Sequence, residues 1–141
     1  MTRYDDQNVF AKILRGELPS HTVYEDDHAI VIMDIMPRAD GHALVIPKAP
    51  SRNILDIAEA DLHAVMTVVQ KVARAVVKAF DAHGVTIQQF NERAGGQVVF
   101  HTHVHVLPRH EDVSLRPHTG EMAPAEALAA NAEKLRAALA G

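Results

Sequence analysis

The chain has 141 residues, 48% hydrophobic, 23% charged and 4% aromatic, with a net charge of −4 when its ten histidines are neutral. This balance predicts one compact domain over residues 1–141 with an aliphatic core, and excludes a disordered segment or a nucleic-acid-coating surface. With no cysteine there is neither a disulfide framework nor a thiolate metal site. No apolar run approaches the roughly 18 residues of a membrane span. The opening Met-Thr-Arg-Tyr-Asp-Asp lacks the charged-then-apolar layout of a secretory signal, so a soluble cytoplasmic protein is expected.

The first predicted element is a short helix over residues 8–15. Val9, Phe10, Ile13 and Leu14 form its apolar side, Asp6 or Asn8 caps its start, and Gly16 stops it. Pro19-Ser20 turns the chain into two strands, 22–25 and 28–34, joined tightly at Asp26-Asp27. A loop of turn formers over 36–41 leads to a third strand, 42–47, apolar enough to lie centrally. Leu62, Val65, Met66, Val69, Ala73, Val76, Val77 and Phe80 recur at the spacing of one helical face. Glu59 and Asp61 suit the first turn of this long helix, Lys78 its last, and Gly84 its end. A fourth strand over 85–90, a glycine-ended loop over 91–96 and a fifth strand over 97–109 follow. An irregular loop over 109–122 then gives way to an alanine-rich helix over 124–139, opened by Pro124. Hairpin strands with helices set apart predict an α+β fold on a five-stranded, mainly antiparallel sheet.

The stretch 97–109 carries the chemistry. With side chains alternating faces, Val98, Phe100, Thr102, Val104 and Val106 share one side; Gln97, Val99, His101, His103 and His105 share the other. His21, His28, His63, His83, His110 and His118 read as surface or hydrogen-bonded residues. Three imidazoles on one side of an otherwise apolar strand need a purpose-built polar pocket, because each buried ring has two nitrogens to satisfy. A single metal held by all three is excluded by length: the outer pair on a straight strand is roughly 13 Å apart, whereas ligands of one tetrahedral ion lie within about 3.5 Å of each other. Metal at two of them with a remote ligand stays open as the minor alternative. The main one is nucleophilic catalysis by the middle imidazole at phosphorus, flanked by donors to the non-bridging oxygens. The adjoining Ala94-Gly95-Gly96-Gln97 would let peptide N–H groups approach an anion.

His101-Thr102-His103-Val104-His105-Val106-Leu107 resembles the signature of the histidine triad (HIT) family. Asn8 to Ile13, Glu17-Leu18-Pro19, Val23-Tyr24-Glu25-Asp26, Met33 to Pro37, Gly41 to Lys48 and Gly96-Gln97 resemble the same family, so the likeness spans residues 8–110. The chain is most similar to short bacterial members related to the Hint branch of nucleoside phosphoramidate hydrolases. The resemblance implies a nucleotidyl hydrolase or transferase in which His103 attacks the α-phosphate of a purine nucleotide, giving a covalent nucleotidyl-histidine that water resolves. It implies that His105 contacts the phosphate oxygens and that His101 and His42 orient the nucleophile. Asp34 corresponds to the carboxylate that binds the ribose hydroxyls, and Phe10, Ile13, Ile32 and Ile35 to the apolar base pocket, with Val9 and Met33 read as core. Gly96, Gln97 and Asn91 correspond to the phosphate-side loop. Members are commonly homodimers built through the long helix and a central strand, which would bring Val65, Val69 or Val76 toward a partner.

Two departures stand out. Many bacterial relatives bind structural zinc through two early cysteines and a histidine after the Ile-Pro-Lys segment; Asn8, Ala11 and Ala49-Pro50 stand there in this chain, so no metal is expected, and no cofactor. A serine found in some Hint proteins two residues after the loop glycine is Val98 here. The alternatives to a phosphoramidate hydrolase are a dinucleoside polyphosphate hydrolase and a nucleotide-binding or scaffold protein with incidental hydrolysis.

Overall fold

The computed structural model describes residues 3–117 and 121–141, so His118 lies outside the described residues. The elements run α1 (Val9–Leu14), β1 (Thr22–Glu25), β2 (Ala29–Met33), β3 (Ala43–Pro47), α2 (Glu59–Phe80), β4 (Gly84–Gln88), a 3-10 turn (Arg93–Gly95), β5 (Val104–Arg109) and α3 (Ala125–Ala140). The five strands form one antiparallel sheet in the order β1-β2-β3-β5-β4. The predicted α+β class and strand count are met.

Local chemistry accounts for the junctions. Asn8 caps α1, its side-chain oxygen accepting the Ala11 N–H at 2.9 Å. The hairpin between β1 and β2 turns without glycine because one Asp26 carboxylate oxygen accepts the N–H groups of both His28 and Ala29. β2 and β3 are buried at every position, as strands covered on both sides must be. Alternate residues of the sheet therefore feed two different cores. Val31, Met33, Val45, Val104 and Val106 face α2 and α3, meeting Val65, Val72 and Val76 of the first and Leu135 of the second. Ile30, Ile32, Leu44 and Ile46 face the other way, under Phe10 of α1, with Ile13 and Val99 at the margin.

Four expectations are corrected. The fifth strand does not begin at residue 97 but at Val104. Upstream of it, Thr102 gives its N–H to the Ser51 carbonyl at 2.9 Å, and Gln97 gives its amide to the Arg52 carbonyl at 2.7 Å. The chain there is fastened to the 51–53 segment rather than to a neighbouring strand. On α2, Met66 and Val77 are exposed, and Val68, Val72 and Ala75 are buried instead, so the covered stripe is rotated from the predicted one. Val65, Val69 and Val76, expected toward a partner, are spent in the chain's own core. Val9 is exposed and Met33 is buried, so only the latter is core.

The loop between β2 and β3 is held from below. Gly41 has φ +91, and a Cβ placed there would come within 2.4 Å of the Phe80 ring at the end of α2. Gly41→Ala should therefore lower stability by about 1–3 kcal/mol, read from the denaturant midpoint. It should also lower activity, because His42 is the next residue.

Candidate active site

Asp34 leaves β2 and His42 enters β3 side by side, the Asp34 N–H meeting the His42 carbonyl at 3.0 Å. His42 is buried, and its ring is oriented from the main chain: the Arg38 N–H donates to Nδ1 at 3.1 Å. A nitrogen that accepts carries no hydrogen, so the proton sits on Nε2. Nε2 lies 2.9 Å from His105 Nδ1 and 3.4 Å from an Asp34 carboxylate oxygen. His42 thus donates to His105, whose own proton is placed on Nε2. His105 is presented by β5, cross-strand from Leu44 of β3 and Gln88 of β4.

The same accounting fixes the middle histidine. His103 Nδ1 is 2.6 Å from the His101 carbonyl oxygen, which can only accept, so Nδ1 bears the hydrogen and Nε2 holds the lone pair. Burial pushes the His103 pKa below the ordinary imidazole value, against the opposing pull of the His101 carbonyl and of Asp34. His101 is oriented at both ends. Nε2 donates to the Pro47 carbonyl at 2.8 Å, and Nδ1 accepts from Tyr4 Oη at 2.6 Å; Tyr4 in turn accepts from Asn8 Nδ2 at 3.0 Å. Burial again lowers its pKa, with the neighbouring His103 adding to the effect. In both rings burial disfavours the protonated form.

Those shifts set a pH dependence. Below about pH 6.5 the unfolded chain protonates these rings while the folded chain resists, so the unfolded state binds more protons. Stability present above that pH is lost as the pH falls below it. A urea midpoint lower at pH 5.5 than at pH 7.5 is the expected measurement, and replacing His101 should flatten the difference.

Aromatic rings wall the histidines. Phe10 meets His103 edge-on at 4.8 Å between centroids, His103 meets His105 at 5.1 Å, and Phe90 meets His105 at 5.5 Å. Of the predicted base-pocket residues, Phe10, Ile13 and Ile32 gather in one apolar cluster beside His103. Ile35 stands apart, 41% exposed.

The phosphate-side loop differs most from expectation. The N–H groups of Gly95, Gly96 and Gln97 are bonded within the loop, to Glu92 O, Arg93 O and Glu92 O. They shape the turn and are not aimed at an anion. Asn91 does not face the histidines with its amide: Oδ1 accepts from Ile54 N and Gln89 Nε2, and Nδ2 donates to Gln89 Oε1. Gln97 is buried, and Val98 is 75% exposed at the loop's outer side. Sequence reasoning missed Tyr4, Arg38, Arg52, Asn53, Phe90 and Glu92. Arg38 acts on His42 through its peptide N–H, which leaves no trace in side-chain pattern; Tyr4 lies far from His101 in the chain.

Asp34, His42 and His105 also bring three ligand-type atoms within 4.8 Å of one another. The donor types would suit a transition metal. The proton positions oppose it, since ligation by His42 Nε2 would move its hydrogen to Nδ1, where it would confront the Arg38 N–H. His42 Nε2 serves His105 Nδ1 at 2.9 Å, with the Asp34 carboxylate 3.4 Å from the same nitrogen. Asn8 and Ala11 serve as the cap of α1 and a buried helix residue.

The antiparallel sheet and the segment before β5 thus gather three imidazoles, His101, His103 and His105, each oriented by a hydrogen bond. The chain belongs to the histidine triad family: the HIT domain profile matches residues 15–112. It is 39% identical over 103 residues to Adenylylsulfatase HINT3 of Arabidopsis thaliana, a match covering 73% of this chain and 52% of that protein. The chain thus spans about half the length of this relative. It is 37% identical over 102 residues to Protein hit of Bacillus subtilis, covering 72% and 70%. A Bartonella henselae Hit-like protein involved in cell-cycle regulation superposes with a TM-score of 0.91 at 52% identity, covering 96% of this chain and 99% of that one. A zinc-bound histidine triad protein of Mycobacterium smegmatis gives 0.85 at 34% identity, covering 95% and 94%. No helix among the described residues is long and apolar enough to cross a membrane.

Proposed function

We propose that the chain is a nucleotidyl hydrolase or transferase acting at the α-phosphate of purine nucleotides, with nucleoside 5′-phosphoramidates as its substrate class. The observation that carries this reading is the His103 Nδ1 to His101 carbonyl bond of 2.6 Å, which leaves the Nε2 lone pair for attack. In the first step a bond forms between Nε2 and phosphorus, the P–N bond to the amine breaks, and the amine departs with a proton taken from solvent, which the second step returns. In the second, water adds to phosphorus as the Nε2–P bond breaks, releasing the nucleoside monophosphate and a proton and restoring neutral His103. His105 donates from Nε2–H to a non-bridging oxygen, where charge builds in the transition state. Asp34 receives the ribose hydroxyls, and Phe10, Ile13 and Ile32 receive the base.

The relative named adenylylsulfatase supports α-phosphate chemistry with a different leaving group. Diadenosine polyphosphates are the second substrate class. A preference for these over an AMP-amine in kcat/KM would reverse the ranking. The direct test traps the intermediate: rapid acid-free quenching with labelled AMP-amine should leave nucleotide on the protein in an acid-labile, base-stable bond. Label absent under single-turnover conditions with active protein would refute the covalent route. Negligible turnover with intact AMP binding would instead favour the binding or scaffold reading. Because the nucleophile acts neutral and its pKa is depressed, the acid limb of kcat/KM should lie below about pH 6.5.

A cytoplasmic homodimer belongs to the same reading. β4 is an edge strand and leaves Ile87 exposed, while α2 exposes Met66 and Val77, a surface suited to a second copy. Sedimentation velocity giving a single monomeric boundary would exclude the dimer.

A further inference from the structure

We propose that Glu92 is a positioning residue for the nucleophile, acting through the segment 92–101, whose last carbonyl fixes the His103 ring. This rests on the reading of His103 as the attacking group.

Glu92 sits at φ 63, ψ 164, a backbone region almost reserved for glycine. The chain places glycines at 95 and 96 in the same loop, yet holds a charged residue in this conformation. What holds it there is specific. Arg52 reaches its two carboxylate oxygens at 2.7 and 3.0 Å, and the wholly buried Asn53 donates to one of them at 2.6 Å. The loop is closed around it as well: Glu92 N–H donates to Gln97 Oε1 at 2.8 Å, and Gln97 N–H donates to the Glu92 carbonyl at 3.0 Å.

The clamp continues along the chain toward the site. Gln97 Nε2 donates to the carbonyls of Arg52 and Val99, at 2.7 and 3.0 Å. The Arg52 guanidinium lies 4.2 Å over the Phe100 ring, and Thr102 N–H is bonded to the Ser51 carbonyl at 2.9 Å. The 51–53 segment therefore grips the chain on both sides of residue 101. The His101 carbonyl between those grips receives the His103 Nδ1 hydrogen. Glycine at 92 would give the same turn without backbone strain. The side chain is what adds the connection to Arg52 and Asn53, and that connection leads to the carbonyl.

The decisive variant is Glu92→Gly, which removes the clamp and relieves the strain together. With an AMP-amine substrate, kcat should fall about tenfold to a hundredfold while KM changes by less than about threefold. The melting temperature should stay level or rise. Nitrogen-15 spectra of the imidazoles should show a single Nδ1–H tautomer of His103 in the parent and a tautomer mixture in the variant. Glu92→Gln, which keeps an acceptor for Arg52 and Asn53, should recover most of kcat and the single tautomer. An unchanged kcat and tautomer in Glu92→Gly overturns the proposal. So does a fall in kcat that tracks a fall in melting temperature while the tautomer is unchanged, since the loop would then serve folding alone. If the parent itself fails to turn over the substrate, the fault lies with the proposed reaction, and the tautomer comparison still decides the role of Glu92.

Discussion

Substituting His103→Ala should lower turnover of an AMP-amine by at least about 10⁴-fold, the scale on which removal of a nucleophile is felt. The fold should survive, because the ring is not part of either aliphatic cluster and its Nδ1 hydrogen bond is to a main-chain carbonyl two residues away. AMP affinity should change little, as the ribose and base contacts proposed for Asp34, Phe10 and Ile32 are untouched. The expected signature is thus a collapse of kcat with nucleotide binding retained, measured by steady-state kinetics and by titration calorimetry. Undiminished turnover would remove His103 from the mechanism and with it the covalent intermediate.

The second large effect is expected at His42, a residue that need never touch substrate. His42→Ala should lower kcat by about 10²- to 10³-fold, comparable to losing a preorganised donor or the group that sets a catalytic tautomer. The reason is the direction of the relay. Arg38 N–H occupies Nδ1, which leaves Nε2 as the donor to His105 Nδ1 at 2.9 Å, and this keeps the His105 hydrogen on Nε2. Without His42 the donor to His105 Nδ1 is lost, and the hold on the His105 tautomer should weaken. Nitrogen-15 shifts of His105 would read this directly. A single unchanged His105 tautomer in His42→Ala, with normal kcat, would show that some other group orients the ring.

The order of elements was legible because each was marked locally: the cap at Asn8, the three-and-four spacing of α2 and the runs of β-branched residues in β2 and β3. The family signature singled out His103 and His105 for the same reason, since both lie close together in sequence. Alternation over-extended the fifth strand. Gln97 and Thr102 satisfy a strand pattern but spend their hydrogen bonds on residues about fifty positions earlier, and no local pattern reports that. Phe10 and Ile32, where apolar character and core position coincide, fall in one cluster. Ile35 lies beyond the end of its strand and is exposed. The loop glycines suggested an anion cradle, because φ preference is visible in sequence and the destination of a peptide N–H is not.

Two of the ring protons are placed by backbone atoms. The Arg38 N–H sets the state of His42, and the His101 carbonyl sets that of His103. Every amino acid supplies the carbonyl, and every one except proline supplies the N–H. Any residue but proline at position 38 therefore leaves the hydrogen on His42 where it is, so the side chain at 38 says little about the state of that ring.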